Sequence, residues 1–206
     1  MNGIRAGFAR LIGRLSRASG KGGGTTLPGR VLLRLDPQAL NRLGSRLSHG
    51  STLISATNGK TTTASMLATI LSDAGRRLVH NRSGSNMTWG VATALLEQKG
   101  DEGLFEVDEA WLPEIAARLG PGTILLGNLF RDQLDRYGET DALADAWVKL
   151  AREAEGNIDF VLNADDPLVA DIGRWTKGQH SFFGIEDKSQ ALPEIQHAHD
   201  AKACRV

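Results

Sequence analysis

The sequence predicts an α/β domain, a mostly parallel sheet flanked by helices with a phosphate-binding loop (P-loop) at the end of its first strand. Three observations carry this. Short apolar runs alternate with helical stretches from residue 52 onward, and strand–helix alternation builds parallel sheets through crossover connections. The strand runs are continuously apolar, as burial on both faces of a sheet requires. Between the first run and the first helix stands Asn58-Gly-Lys-Thr61, the strand–loop–helix setting that a phosphate loop needs.

Before the sheet, residues 1–50 hold nine Lys or Arg and a single acid, Asp36. Ile4, Phe8, Leu11, Ile12 and Leu15 recur at helical spacing, with Arg5, Arg10, Arg14 and Arg17 between them. That is an amphipathic basic helix. Such a helix docks its apolar stripe on the domain behind it or lies on an anionic membrane surface, and docking is the commoner use. Ser19 to Gly29 is so dense in glycine that it reads as a linker. A short helical segment follows over 31–47, ending near Gly50. The expected organisation is therefore a basic helical arm with a Gly-rich linker over 1–50 and a sheet domain over 51–206.

Within that domain, strands are expected at Thr52–Ala56, Arg77–His80, Leu104–Val107, Thr123–Leu126, Phe160–Leu162 and Ser181–Phe183. Helices are expected over 60–74, 87–99, 111–118, 140–155 and 167–175, the first with Met66, Leu67, Ile70 and Leu71 as its apolar pattern.

Composition narrows the class. Hydrophobic content of 41% and zero formal net charge fit an ordinary globular protein with no global pull toward nucleic acid. No run approaches the roughly 18 apolar residues of a membrane span, and the N-terminus lacks the apolar core and cleavage site of a secretory signal. Cys204 is the only cysteine, so no internal disulfide forms, and a cytoplasmic setting is expected.

The loop Ser55-Ala-Thr-Asn-Gly-Lys-Thr-Thr-Thr63 has direct physics behind it. Backbone N–H groups and the positive end of the following helix favour an anion. Gly59 permits close approach of the backbone. Lys60 offers a point charge to β- and γ-phosphates, and Thr61 a hydroxyl to magnesium. Ile54 stands where the full Walker pattern has its first glycine. The alternative is a Lys-Thr helix cap that binds nothing.

Ala56-Thr-Asn-Gly-Lys-Thr-Thr62 resembles the Gly-Thr-x-Gly-Lys-Thr loop of the Mur ligase superfamily, enzymes that make amide bonds by activating a carboxylate with ATP. Three later segments match in order. Glu106 in Phe-Glu-Val-Asp-Glu resembles the strand-end acid that binds magnesium. Asn128-Leu-Phe-Arg-Asp-Gln-Leu-Asp resembles the Asn-x-x-x-Asp-His-x-Asp segment, and Asn163-Ala-Asp-Asp-Pro167 the nucleotide-side segment of a later strand. Leu-Pro-Gly at 27–29, Asn81-Arg-Ser-Gly-Ser-Asn-Met87 and Arg-Asp-Gln-Leu-Asp-Arg at 131–136 look like the MurT branch in particular. Ala56 departs from the usual loop glycine, Gln133 from the usual histidine, and Trp147 lies near the place of a carbamylated lysine in relatives.

The resemblance implies a central, ATP-binding Mur ligase domain, incomplete at its C-terminal side. It implies ATP contacts from Thr57, Asn58, Gly59, Lys60, Thr61, Thr62, Asn128, Asp132, Asn163 and Asp166, with magnesium on Thr61 and Glu106, Glu109 in reserve, and Lys60 and Glu106 as the catalytic pair. The residues alone leave alternatives open. Asp108 and Glu109 could be helix N-terminal acids, Asp132 a helix cap, and Asp-Asp-Pro a plain helix start. Cys204 would be the first ligand of a structural Zn2+ ribbon in a longer protein. The implied reaction is ATP-dependent amidation of the D-glutamate α-carboxylate of lipid II to D-isoglutamine. Ammonia would come from a GatD-type glutamine amidotransferase subunit, and a peripheral membrane contact would suit the lipid-anchored substrate. The part represented here is expected to be inactive alone. The competing readings are another Mur-type amide ligase, acting on folate or a peptide precursor, and a non-catalytic nucleotide-binding module.

Overall fold

The computed structural model describes residues 7–11, 13, 26–82, 85–130 and 139–187. In chain order the elements are α1 (Leu27–Leu35), α2 (Ala39–Gly44), β1 (Ser51–Ser55), α3 (Lys60–Asp73), β2 (Leu78–His80), α4 (Thr88–Glu97) and β3 (Glu102–Glu106). Then follow α5 (Leu112–Leu119), β4 (Thr123–Leu126), α6 (Glu139–Glu153), β5 (Asp159–Asn163), α7 (Pro167–Ile172) and β6 (His180–Phe183). Residues 7–11 and 13 are also helical. Residues 19–25 of the expected linker, Asp132, Gln133 and Cys204 lie outside the described residues. The last three residues of that expected linker, 27–29, are not linker but open α1, with Pro28 in the first turn where its missing N–H costs nothing.

All five strand pairings are parallel, in the order β2-β3-β1-β4-β5-β6. The α/β parallel architecture expected from the alternation is what forms. The segment over 31–47 is two helices rather than one. Asp36 precedes Pro37 and is extended (φ −151°), because the proline ring disfavours helical backbone in the residue before it. Both helices join the main core through Leu32, Leu40 and Leu43. Residues 27–44 thus share one interior with the sheet domain.

Cover on the two faces is unequal. One core cluster unites Leu53, Phe105, Ile124 and Phe160 of the sheet with α1, α2, α4, α5, α6 and α7. The other buries just Ile54 and Leu104 of the sheet against Ala64 and Ala68 of α3, with Leu67, Leu78 and Leu125 partly buried around them. Topology explains this. The step from β1 to β2 runs one way across the sheet and the later steps run the other, so right-handed crossovers send α3 to one face and the later helices to the opposite one. The sequence led us to expect cover on both faces; among the described residues the second face has a single helix.

That helix buries only part of the expected stripe: Leu67 packs against the sheet, but the fully buried positions are alanines. Met66 and Ile70 are 57% and 64% exposed, whereas Ala64 and Ala68 are fully buried. Residues four apart share a helix face, and alanines there let α3 lie close on the strands. The N-terminal helix follows the same rule. Ala9 is fully buried while Phe8 and Leu11 are about half exposed, and a Cβ at Gly13 would meet the Pro28 ring at 2.6 Å. Among the described residues, the arm docks by its small ones.

Candidate functional site

The site forms where β3, β1 and β4, adjacent at the centre of the sheet, end together. Loops at the C-terminal ends of parallel strands, beside the point where strand order reverses, are where such sheets bind ligands. Three chain segments meet there: 56–61 after β1, 106–109 at the end of β3, and 127–130 after β4.

The first segment turns through Gly59, whose φ of +85° is a left-handed conformation costly for any residue with a Cβ. α3 starts at the next residue with no side-chain cap and no acid in its first turn. Its leading N–H groups and the positive end of its dipole are therefore open to an anion. Lys60 curls back over this turn. Its Nζ donates to the Ala56 carbonyl and to the Thr57 carbonyl at 3.3 Å, and pairs with Glu109 Oε2 at 3.1 Å. Both side chains of that pair are largely buried, at 12% and 13% exposure, so each charge is held beside its opposite.

Thr61 Oγ1 donates to Glu106 Oε1 at 2.9 Å. The hydroxyl and the carboxylate singled out for magnesium thus stand within one hydrogen bond of each other. A hydroxyl and one carboxylate are hard oxygen donors, and magnesium commonly takes its remaining ligands from water and phosphate. The residues fit that ion. Among the described residues there is no cluster of three or more His, Cys, Asp or Glu side chains to hold a metal.

The third segment holds the first in place. Asn128 makes a two-way pair with the Asn58 backbone: Oδ1 accepts its N–H at 2.9 Å, and Nδ2 donates to its carbonyl at 3.0 Å. The Thr57 N–H donates to the Asn128 carbonyl at 2.8 Å, and the Phe130 N–H donates to the Thr57 hydroxyl at 3.0 Å. Asn128 and Thr57 are thereby fasteners of the loop. Thr62 is exposed on the first turn of α3.

The remaining candidates separate. Asp108 Oδ1 accepts from Ala110 N–H at 3.2 Å at the entry to α5, while Glu109 turns to Lys60. Trp147, fully buried on α6, donates from Nε1 to the Glu109 carbonyl at 3.0 Å and fixes that turn. Asn163 Oδ1 accepts from Asp165 N–H at 2.9 Å in a local turn. Asp166 is 2% exposed and its carboxylate takes the N–H groups of Leu168, Val169 and Leu129. Asp166 caps α7 and ties it to the loop after β4, so the plain helix start is what the structure displays there. Asn81 was legible only as part of a motif. In the structure it bonds the Glu106 backbone on both sides.

Comparison with known proteins follows this geometry. Residues 54–205 match the family described as the Mur ligase middle domain. The chain belongs to the Mur ligase family. Its relatives include the MurT subunit of lipid II isoglutaminyl synthase (glutamine-hydrolyzing) of Staphylococcus aureus, 34% identical over 166 residues, covering 79% of this chain and 37% of that protein. The subunit of the same description from Streptococcus pneumoniae is 34% identical over 172 residues, covering 80% and 38%. This Mur ligase chain thus spans well under half the length of those relatives. Among solved structures, the MurF ligase of Thermotoga maritima in complex with ADP superposes with a TM-score of 0.62 at 21% identity, over 74% of this chain and 37% of that one. MurF of Acinetobacter baumannii gives 0.60 at 20%, over 79% and 35%. At that identity the likeness establishes the Mur ligase fold.

Proposed function

We propose that this chain is the nucleotide-gripping part of a MurT-type ligase. The whole protein would amidate the D-glutamate α-carboxylate of lipid II to D-isoglutamine, using ATP and ammonia delivered by a GatD-type glutaminase subunit. The observation that carries the reading is the pairing of Lys60 with Glu109 and of Thr61 with Glu106 where β1 and β3 end, in a chain 34% identical to MurT subunits.

The roles follow from the geometry. The N–H groups of Gly59 to Thr62, at the open first turn of α3, receive the phosphates. Lys60 exchanges Glu109 for the γ-phosphoryl oxygens and meets the charge that builds on them during transfer. Thr61 and Glu106 hold magnesium, which when bound neutralises phosphate charge. Asn128, Asn163 and Asp166 keep the surrounding loops in place. The γ-phosphoryl passes to the substrate carboxylate with ADP leaving; ammonia then attacks that carbonyl, phosphate departs and the amide remains. The groups that receive ammonia belong to the rest of the protein, so this part alone gives no turnover. In that longer protein Cys204 supplies one zinc ligand. The basic arm, with Phe8 and Leu11 half exposed, rests on the inner face of the membrane, beside a lipid-anchored substrate. No described helix is long and apolar enough to cross a membrane.

The test is mass spectrometry of lipid II after incubation with ATP, glutamine, the full-length protein and its glutaminase partner. We expect the acid-to-amide mass change, abolished by Lys60→Ala. Retention of the change in that variant, or no change with wild type, would overturn the reading. Amino-acid addition to a peptide precursor would instead assign another Mur-type ligase, and nucleotide binding with no product at all a non-catalytic module.

A further inference from the structure

β2 pairs with β3 only as far as His80 opposite Leu104, yet β3 continues to Glu106. On its inner side β3 is held by β1, with Ile54 aligned to Glu106 and the Val107 N–H donating to the Ile54 carbonyl at 2.9 Å. Glu106's own N–H and carbonyl point the other way, toward the place where β2 has already left the sheet. Asn81 fills that place with its side chain. Oδ1 accepts the Glu106 N–H at 2.9 Å, and Nδ2 donates to the Glu106 carbonyl at 2.8 Å and to the Ser85 carbonyl at 2.9 Å. Asn81 is 8% exposed. Its amide therefore acts as a buried substitute for one more rung of the ladder, and it does so at the residue whose carboxylate meets Thr61.

We propose that Asn81 is a positioning residue for the metal-binding carboxylate. By fixing both peptide groups of Glu106 it aims Oε1 at the Thr61 hydroxyl, and so sets how strongly magnesium tightens the grip on nucleotide. This inference rests on the Mg-ATP reading of the loop. Partners that orient a metal ligand commonly govern affinity by about 10–100-fold. Without Asn81, the Glu106 N–H and carbonyl at a strand end lose the partners they have on that side among the described residues, and the side chain loses its aim.

A built-in control exists one strand-end away. Gln98 makes the same two-way bond with the His80 backbone, accepting its N–H at 2.9 Å and donating to its carbonyl at 2.8 Å, on a residue with no part in the site. Removing either amide disturbs the same sheet edge, but only Asn81 touches Glu106.

The experiment is calorimetric titration of the full-length protein with a non-hydrolysable ATP analogue, with and without Mg2+, for wild type, Asn81→Asp, Asn81→Ala, Asn81→Ser and Gln98→Ala. Asn81→Asp keeps the shape and replaces the donor by an acceptor; Asn81→Ser is the mildest change and serves if the others do not fold. We expect the Asn81 variants to lose about 10–100-fold of the Mg2+-dependent gain in affinity, with Mg2+-free affinity unchanged. Gln98→Ala should keep the whole gain while its melting temperature falls. An Asn81 series that keeps the gain, loses affinity equally with and without Mg2+, or is matched by Gln98→Ala overturns the inference. A wild type that binds no nucleotide, or gains nothing from Mg2+, overturns the Mg-ATP reading itself.

Discussion

At the scale of single residues, the site shows how one departure from a family pattern is absorbed by a neighbour. Ala56 occupies the loop position where the motif resemblance implies glycine, and its methyl group is buried. A Cβ placed on Gly127, on the adjoining strand end, would sit 2.8 Å from that methyl, closer than two carbons pack. We therefore expect Gly127→Ala to destabilise the protein by about 1–3 kcal/mol through overpacking. Adding Ala56→Gly should return most of that loss in urea unfolding; no recovery in the double variant would show that the two positions do not share the space. The loop glycine that carries a conformational demand, Gly59, was legible from Gly-Lys-Thr alone. The Ala56–Gly127 pairing was not, because it joins positions far apart in sequence. Lys60 and Thr61 were likewise legible from local context, whereas the engagement of Asp166 with Leu129 N–H depends on how two loops meet.

At the scale of elements, three side-chain amides do the same job. Asn128 on Asn58, Asn81 on Glu106 and Gln98 on His80 each offer a carbonyl and an N–H to the backbone of one residue, as a neighbouring strand would. Two of them fix the site's loops, and the third covers the end of the edge strand β2, where unpaired backbone invites association. His80 on that strand also makes a prediction. Burial first, and the nearby Arg82 cation second, hold its imidazole below the ordinary value of 6.5. The unfolded chain then takes up a proton near pH 6.5 that the folded one still refuses, so stability is lost as pH falls through the window below 6.5. The urea midpoint should drop over that window, and His80→Gln should flatten the drop; an unaltered slope would remove His80 as its source. Strand and helix positions were readable to within a few residues, since apolar runs and turn residues mark them. Which stripe of α3 or of the arm faces inward was not. Large apolar residues dominate a periodicity reading, while Ala64, Ala68 and Ala9 win the contact through close approach.

At the scale of the whole molecule, the arm and the loop sit at opposite ends of the strands. Arg10 donates to the Leu96 carbonyl at 2.9 and 3.1 Å, at the end of α4 that leads into the start of β3, whereas the loop follows the end of β1. Arg46 joins it there on the Leu95 carbonyl at 2.7 Å, two cations on a helix C-terminus as its dipole favours. Arg10 thus secures the arm, and Phe8 and Leu11 are left facing outward. Replacing both with Ser is expected to weaken co-sedimentation with anionic vesicles several-fold, with nucleotide affinity of the full-length protein unchanged. Equal sedimentation of the variant would end the membrane role of the arm. The charge bias of residues 1–50 pointed to this surface; that Phe8 and Leu11 would remain outside needed the docked helix to be seen.

The thinness of the second layer has a thermodynamic consequence. α3 rests on the sheet through two alanines and a few partly buried neighbours, so it has little apolar area of its own to hold it down, and its first turn is the proposed phosphate grip. A ligand bound only by the folded form adds free energy in proportion to RT ln(1 + [L]/Kd), about 2.7 kcal/mol at a hundredfold excess over Kd. Here that increment falls on the element with the least packing beneath it. On the proposed function, nucleotide would be cargo for the reaction and also ballast for the layer that carries it.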